Sequence, residues 1–179
     1  MKQSIRLIGL AALLALPAVV SAQTTRPVTL GVSGGLSAPM GNLGDGVDAG
    51  YVVAGHVWFQ PASMPSIMFR GDVSYDNWKS KIGNFNLRSL GATANAIIHP
   101  SNHSNSVIPY LIAGGGIYNT KSYTTSTNSS TNSDLGIQGG AGIEFKLAGF
   151  STFGEAKFVN VFTGDNSTNW IPVTFGIRF

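Results

Sequence analysis

The chain has 179 residues, a formal net charge of +3 and no Cys. That length suits one domain, and an exported chain without Cys cannot rest on a disulfide framework. Only 11% of its residues are charged, against about 25% in an ordinary soluble domain. No run of basic residues offers a nucleic-acid footprint, so no nucleic-acid partner is expected.

The first segment reads as a secretory signal. Lys2 and Arg6 precede an apolar run from Leu7 to Val20, and Val20-Ser21-Ala22 offers small residues for cleavage before Gln23. The expected division is therefore a signal over 1–22 and one domain over 23–179. Losing Lys2 and Arg6 leaves the remainder at a net charge of +1. After this segment there is no stretch of 18 apolar residues, so helical membrane spans are not expected. The 23 Gly, with abundant Ser, Thr and Asn, favour strands and turns over helices.

Eight strands are expected in order: Val28–Ala38, Gly50–Phe59, Ser66–Asp76, Leu87–Ile98, Val107–Tyr118, Leu135–Leu147, Phe150–Val161 and Trp170–Phe179. The alternation is cleanest in the sixth. Leu135, Ile137, Gly139, Ala141, Ile143, Phe145 and Leu147 share one face; Gly136, Gln138, Gly140, Gly142, Glu144 and Lys146 share the other. The eighth repeats it, with Ile171, Val173, Phe175, Ile177 and Phe179 opposed to Pro172, Thr174, Gly176 and Arg178. Each strand is near the ~9–11 residues that cross a bilayer at a tilt. Connections after strands one, three, five and seven are long and polar, and the rest are shorter on average. That asymmetry suits an antiparallel up-and-down barrel in a membrane, with both termini on the short-turn, periplasmic side.

Periodicity alone leaves a soluble barrel and a soluble sandwich open. The polar faces favour the membrane, because they carry Gly, Ser, Thr and Asn with a few balanced charges. These are assigned to a lumen network of Arg70, Asp72, Arg88, Glu144, Lys146, Glu155, Lys157 and Arg178. An eight-stranded barrel is just wide enough for side chains to fill it. Aromatics near strand ends are expected as interfacial girdles: Tyr51, Trp58, Phe59, Tyr75, Trp78, Tyr110, Tyr118, Phe162 and Trp170. The alternative is that they form barrel-end core.

Val107-Ile108-Pro109-Tyr110-Leu111 through Gly114-Gly115-Gly116, the stretch Gly136 to Phe145, and the closing Phe175-Gly176-Ile177-Arg178-Phe179 resemble the small outer-membrane β-barrel family. That family includes opacity-type proteins, OmpX-like proteins and the membrane domain of OmpA. The resemblance implies that Phe175, Ile177 and Phe179 act as a C-terminal signal for the outer-membrane assembly machinery. It implies no single function.

Chemistry-bearing motifs are sparse. His99 and His103 sit four apart, but Pro100, Ser101 and Asn102 argue for a turn and a chance solvated pair over a metal site. His56 lies within a strand with no Ser two residues on, so it reads as lumen filling over a catalytic base. Glu144 and Glu155 could pair for acid–base work, but Lys146 and Lys157 offer ion-pair partners. The glycines of Gly34-Gly35 and Gly114–Gly116 are not phosphate loops; they let strands bend, or Tyr110 and Tyr118 pack inside. No cofactor is expected. The segment around Lys121, Tyr123, Ser126 and Asn128 reads as a hydrated surface loop or a contact surface for a host or cell-surface ligand. The expected role is a structural or surface-interaction protein in contact with outer-membrane lipids and lipopolysaccharide. A narrow passive channel and a lipid-modifying enzyme are the rivals.

Overall fold

A computed structural model describes residues 28–81, 85–99, 106–124, 131–164 and 166–179. The expected signal, His103, Ser126 and Asn128 lie outside them. Alternating residues drive the chain into strands β1 (Val28–Met40), β2 (Gly50–Phe59), β3 (Ile67–Lys79), β4 (Phe85–Ile98), β5 (Val107–Thr124), β6 (Thr131–Lys146), β7 (Ser151–Thr163) and β8 (Asn166–Arg178). Each pairs antiparallel with its sequence neighbours, and β1 pairs with β8, giving a closed up-and-down barrel of eight strands. A short helix, α1 (Asn42–Gly46), sits in the β1–β2 connection.

Closure satisfies the backbone without water, as a bilayer interior demands. The β1–β8 seam runs from Gly31 opposite Arg178 to Met40 opposite Asn169. It continues to the last residue, where Phe179 and Leu30 exchange backbone hydrogen bonds of 2.8 and 3.0 Å.

The distribution of side chains is inverted relative to a soluble protein. Val32, Leu36, Val53, Val73, Ile117, Leu135 and Phe175 are all at least half exposed, while Arg70, Asp72, His56 and Glu155 are buried at 6% exposure or less. The sheet has its apolar face outside and its polar face inside, the arrangement for lipid around a filled lumen and the reverse of a soluble barrel. No described helix is long and apolar enough to cross a membrane.

The strands run further at one end than the sequence suggests. β5 continues to Thr124 and β6 starts at Thr131, so Lys121 and Tyr123 belong to a strand and not to a loop. Beyond the lipid both faces of a hairpin meet water, and apolar alternation is no longer needed to hold it. Backbone pairing such as Lys121 opposite Thr131 then carries the strand. The expected difference in connection length therefore lies largely in strand extension at the loop end.

Candidate functional site

The inward face divides into three layers along the barrel axis. At the turn end, Trp58, Met68, Ile97, Tyr110, Ile112 and Phe153 form one buried cluster. At the loop end, Val47, Trp78, Tyr118, Val159, Val161 and Trp170 form another, backed by Leu43 of α1 and by Leu87. A belt of charged and amide side chains lies between them.

Arg70 on β3 is the centre of this belt. Its Nη1 and Nη2 donate to Glu155 Oε2 and Oε1 on β7 at 2.8 and 2.7 Å, a two-pronged bond straight across the lumen. Nη2 also donates to Asp72 at 3.0 Å. Lys157 lies 3.4 Å from Asp72 and 3.5 Å from Glu155. The Tyr110 hydroxyl donates to Glu155 at 2.8 Å. Asn95 Nδ2 donates to Asp72 at 3.0 Å, Gln138 donates to Asn95, and the Tyr118 hydroxyl donates to Gln138 at 3.2 Å. Around Arg70 two cations, Arg70 and Lys157, face two carboxylates, Asp72 and Glu155, each hydrogen-bonded as low dielectric requires, and a third buried carboxylate, Asp76, accepts from the Ser37 hydroxyl at 2.7 Å.

The belt includes a grouping absent from the sequence expectations. His56 Nδ1 lies 2.8 Å from Asp72 Oδ1, and His56 Nε2 lies 2.8 Å from Ser33 Oγ. A neutral ring can donate at Nδ1 to Asp72 and accept from the Ser33 hydroxyl, the order of acid, base and hydroxyl found in hydrolytic triads. The serine comes from β1, 23 residues before the histidine. No local spacing could reveal it, because Gly31 faces His56 and the serine is two residues further along.

Several expected site residues take other positions. Glu144 pairs with Arg178 at 3.0 Å and Glu155 with Arg70, so the partner of neither carboxylate is Lys146. Lys146 ends β6 and is exposed at the turn-end rim. Arg88 is not in the lumen. It shares the parity of outward-facing Leu90, while Ser89 and Gly91 point inward. That parity is present in the sequence, although the charge of the residue points to the lumen. Arg70, Asp72, Lys157, Glu144, Glu155 and Arg178 do face the lumen. Phe175, Ile177 and Phe179 lie together on the outer wall, 61%, 43% and 48% exposed.

The girdle expectation divides by the same rule. Tyr51, Phe59, Tyr75 and Phe162 point outward, but Trp58, Trp78, Tyr110, Tyr118 and Trp170 are buried inside. Trp170 meets Trp78 and Tyr118 edge-on, with ring centroids 5.4 and 5.5 Å apart. Trp58 meets Phe153 edge-on at 5.7 Å and lies under the guanidinium groups of Arg70 and Arg178. Glycine makes the room. A Cβ on Gly142 would run into the Tyr110 ring, and one on Gly91 or Gly136 would stand 2.8 Å from Tyr118. His99 is 5% exposed beside Tyr110, so it is lumen filling and not a solvated turn residue.

Two small cavities lie inside the barrel among the described residues. One cavity of about 10 Å³ lies among Trp58, His99, Tyr110, Glu144 and Arg178, and one of about 20 Å³ lies among Ser33, His56, Asp76, Lys157 and Thr174. Each holds about one water. Among the described residues no group of three or more His, Cys, Asp or Glu could hold a metal.

No protein-family profile and no curated protein sequence matches the chain. Solved structures do. The crystal structure of Neisserial surface protein A aligns at a TM-score of 0.67 and 14% identity, covering 87% of this chain and 98% of that one. A major outer membrane protein from Thermus thermophilus aligns at 0.55 and 12% identity, covering 86% and 99%. Ail, the attachment invasion locus protein of Yersinia pestis, aligns at 0.53 and 13%, covering 85% and 97%. The chain has the fold of the small eight-stranded outer-membrane barrels.

Proposed function

We propose that this protein resides in an outer membrane as a closed barrel, a structural and surface-interaction element that neither conducts nor catalyses. The observation that carries this reading is the layered lumen: a hydrogen-bonded charged belt between two aromatic clusters, with cavities among the described residues of about 10 and 20 Å³. The working surface is then the outside of the barrel and its loop end, where β5 and β6 extend beyond the length a bilayer requires. In this reading the short-turn end and both termini face the periplasm. The attachment role in the name of one structural neighbour belongs to that protein; for this chain it is compatible with the extended hairpin.

Planar-bilayer recording of the refolded protein tests the proposal. Little or no stepwise current is expected, and large, long-lived channels would overturn it.

The Ser33–His56–Asp72 grouping is read as structural for two reasons. Asp72 also receives bonds from Arg70 and Asn95 and the approach of Lys157, so its role is shared across the belt. The space beside Ser33 holds about one water and no acyl or phosphoryl substrate. A fluorophosphonate probe should leave Ser33 unmodified in the folded protein; modification at Ser33 would establish a reactive nucleophile.

A further inference from the structure

The ion pairs of the belt leave one acid over. Arg70 and Lys157 are both engaged with Asp72 and Glu155. The third carboxylate, Asp76 on β3, is 2% exposed and bonded to a neutral partner, the Ser37 hydroxyl of β1 at 2.7 Å. Among the described belt residues, three carboxylates therefore face two cations. A buried charge in excess is costly, and one added proton removes the excess.

A single cavity joins this acid to the histidine of the belt. The space of about 20 Å³ is bordered by Asp76, His56, Ser33 and Lys157. A polar cavity of that size suits one water with several hydrogen-bond partners. It does not suit a metal cation, because the Lys157 ammonium borders the same space. The titratable groups that border it with Asp76 are His56 on β2, Tyr118 on β5 and Lys157 on β7. From β4, β6 and β8 come Ser89, Gln138 and Thr174, which do not titrate. Asp72, on the same strand, faces His56, Arg70 and Lys157. Asp134 on β6 stands opposite Tyr118, further toward the loop end.

His56 is held so that it can gain a proton without moving. Its Nδ1 lies 2.8 Å from Asp72 and its Nε2 2.8 Å from Ser33 Oγ. A neutral ring donates at Nδ1 and accepts at Nε2, whereas a charged ring donates at both. Only the Ser33 hydroxyl hydrogen has to turn between the two states. We propose that the lumen binds one proton, shared between Asp76 and His56 through a water in this cavity and the Ser33 hydroxyl. In the transfer the Asp76 carboxyl gives its proton to the water, the water gives one to Ser33 Oγ, and Ser33 gives its own to His56 Nε2. Three O–H bonds break; two O–H bonds and one N–H bond form. Water and serine are regenerated, and a carboxylate and an imidazolium replace a carboxyl and a neutral ring. Either arrangement leaves the belt with no net charge.

The full chain is refolded in micelles of a detergent that carries no carbonyl group. Urea unfolding is followed from about pH 5 to about pH 9 for wild type, Asp76→Asn and Asp48→Asn, the last an exposed acid of the β1–β2 connection. An unfolded histidine loses its proton near pH ~6.5 and an unfolded aspartate near ~3.9. Above pH ~6.5 the folded belt then holds one proton more than the unfolded chain, so stability falls as pH rises. Relative to Asp76→Asn, the unfolding constant of wild type should rise about tenfold per pH unit until the belt releases its proton. Asp48→Asn should keep the wild-type slope. Equal slopes for wild type and Asp76→Asn would overturn the proposal. Spectroscopy of the wild type alone decides the case if Asp76→Asn does not fold. At pH ~8, infrared spectra should show a protonated carboxyl, or nitrogen NMR a charged His56 ring. Fully ionised carboxylates together with a neutral His56 ring would overturn it.

Discussion

The two faces of the same wall obey opposite rules. Inside, the large side chains of the two aromatic clusters and the belt are hemmed in, and polar groups are tolerated because partners from seven strands meet them: Ser33 on β1, His56 on β2, Arg70 and Asp72 on β3, Asn95 on β4, Tyr110 and Tyr118 on β5, Gln138 on β6, and Glu155 and Lys157 on β7. Outside, Val32, Leu36, Val73 and Leu135 stand exposed with few protein neighbours, and their contribution is contact with lipid. Adjacent residues of one strand thus sit in different solvents. An inner substitution is felt through its specific partners, and an outer one mainly through its depth in the bilayer.

The sharpest break of this contrast is Arg70→Met. It leaves Glu155 and Asp72 buried without their main cation, and stability in a urea titration of the lipid-embedded protein should fall by about 3–5 kcal/mol. Adding Glu155→Leu should restore part of that loss, because removing both partners costs less than orphaning one. A second variant that is no better than the first would show that the pair does not act as a unit.

Next in size is Val57→Arg on the outer face. Val57 stands opposite Gly71, which stands opposite Ala94, on the apolar outer wall one outward residue inside Phe59, the end of β2. A cation there should cost at most about 2–4 kcal/mol, the midplane figure, in the same titration. Insensitivity at this position would mean that the outer face does not meet hydrocarbon.

Gly142→Ala tests crowding without charge. The added methyl meets Tyr110, whose hydroxyl donates to Glu155, so packing and belt are strained together. A loss of about 1–3 kcal/mol is expected. Gly55→Ala should be close to neutral, because nothing lies within 4 Å of a Cβ built there.

The smallest effect is expected from Ser33→Ala. It removes one hydrogen bond to His56 and should lower stability by about 1 kcal/mol with no change in conductance. A cost of several kcal/mol would place Ser33 among the central residues of the belt.

The strand number, the up-and-down order and the inner and outer parity were legible in the sequence, because a period of two is a local property. Leu135 to Phe145 carry it in consecutive residues. The same parity places Trp58 with His56 and Arg88 with Leu90, although residue type suggested a girdle for the tryptophan and a lumen for the arginine. Strand ends at the loop side were not legible, since Ser, Thr and Asn in water show no alternation even when paired, as Lys121 and Thr131 are.

By itself the sequence determined which residues share a face and that one face is apolar. Only the tertiary structure decided which inner residues meet. Arg70 and Glu155 are 85 residues apart and face each other because closing eight strands sets β3 across the lumen from β7. The Ser33–His56–Asp72 chain likewise depends on inter-strand register. Register is a property of pairs of strands and of the closed ring, and no single stretch of sequence contains it.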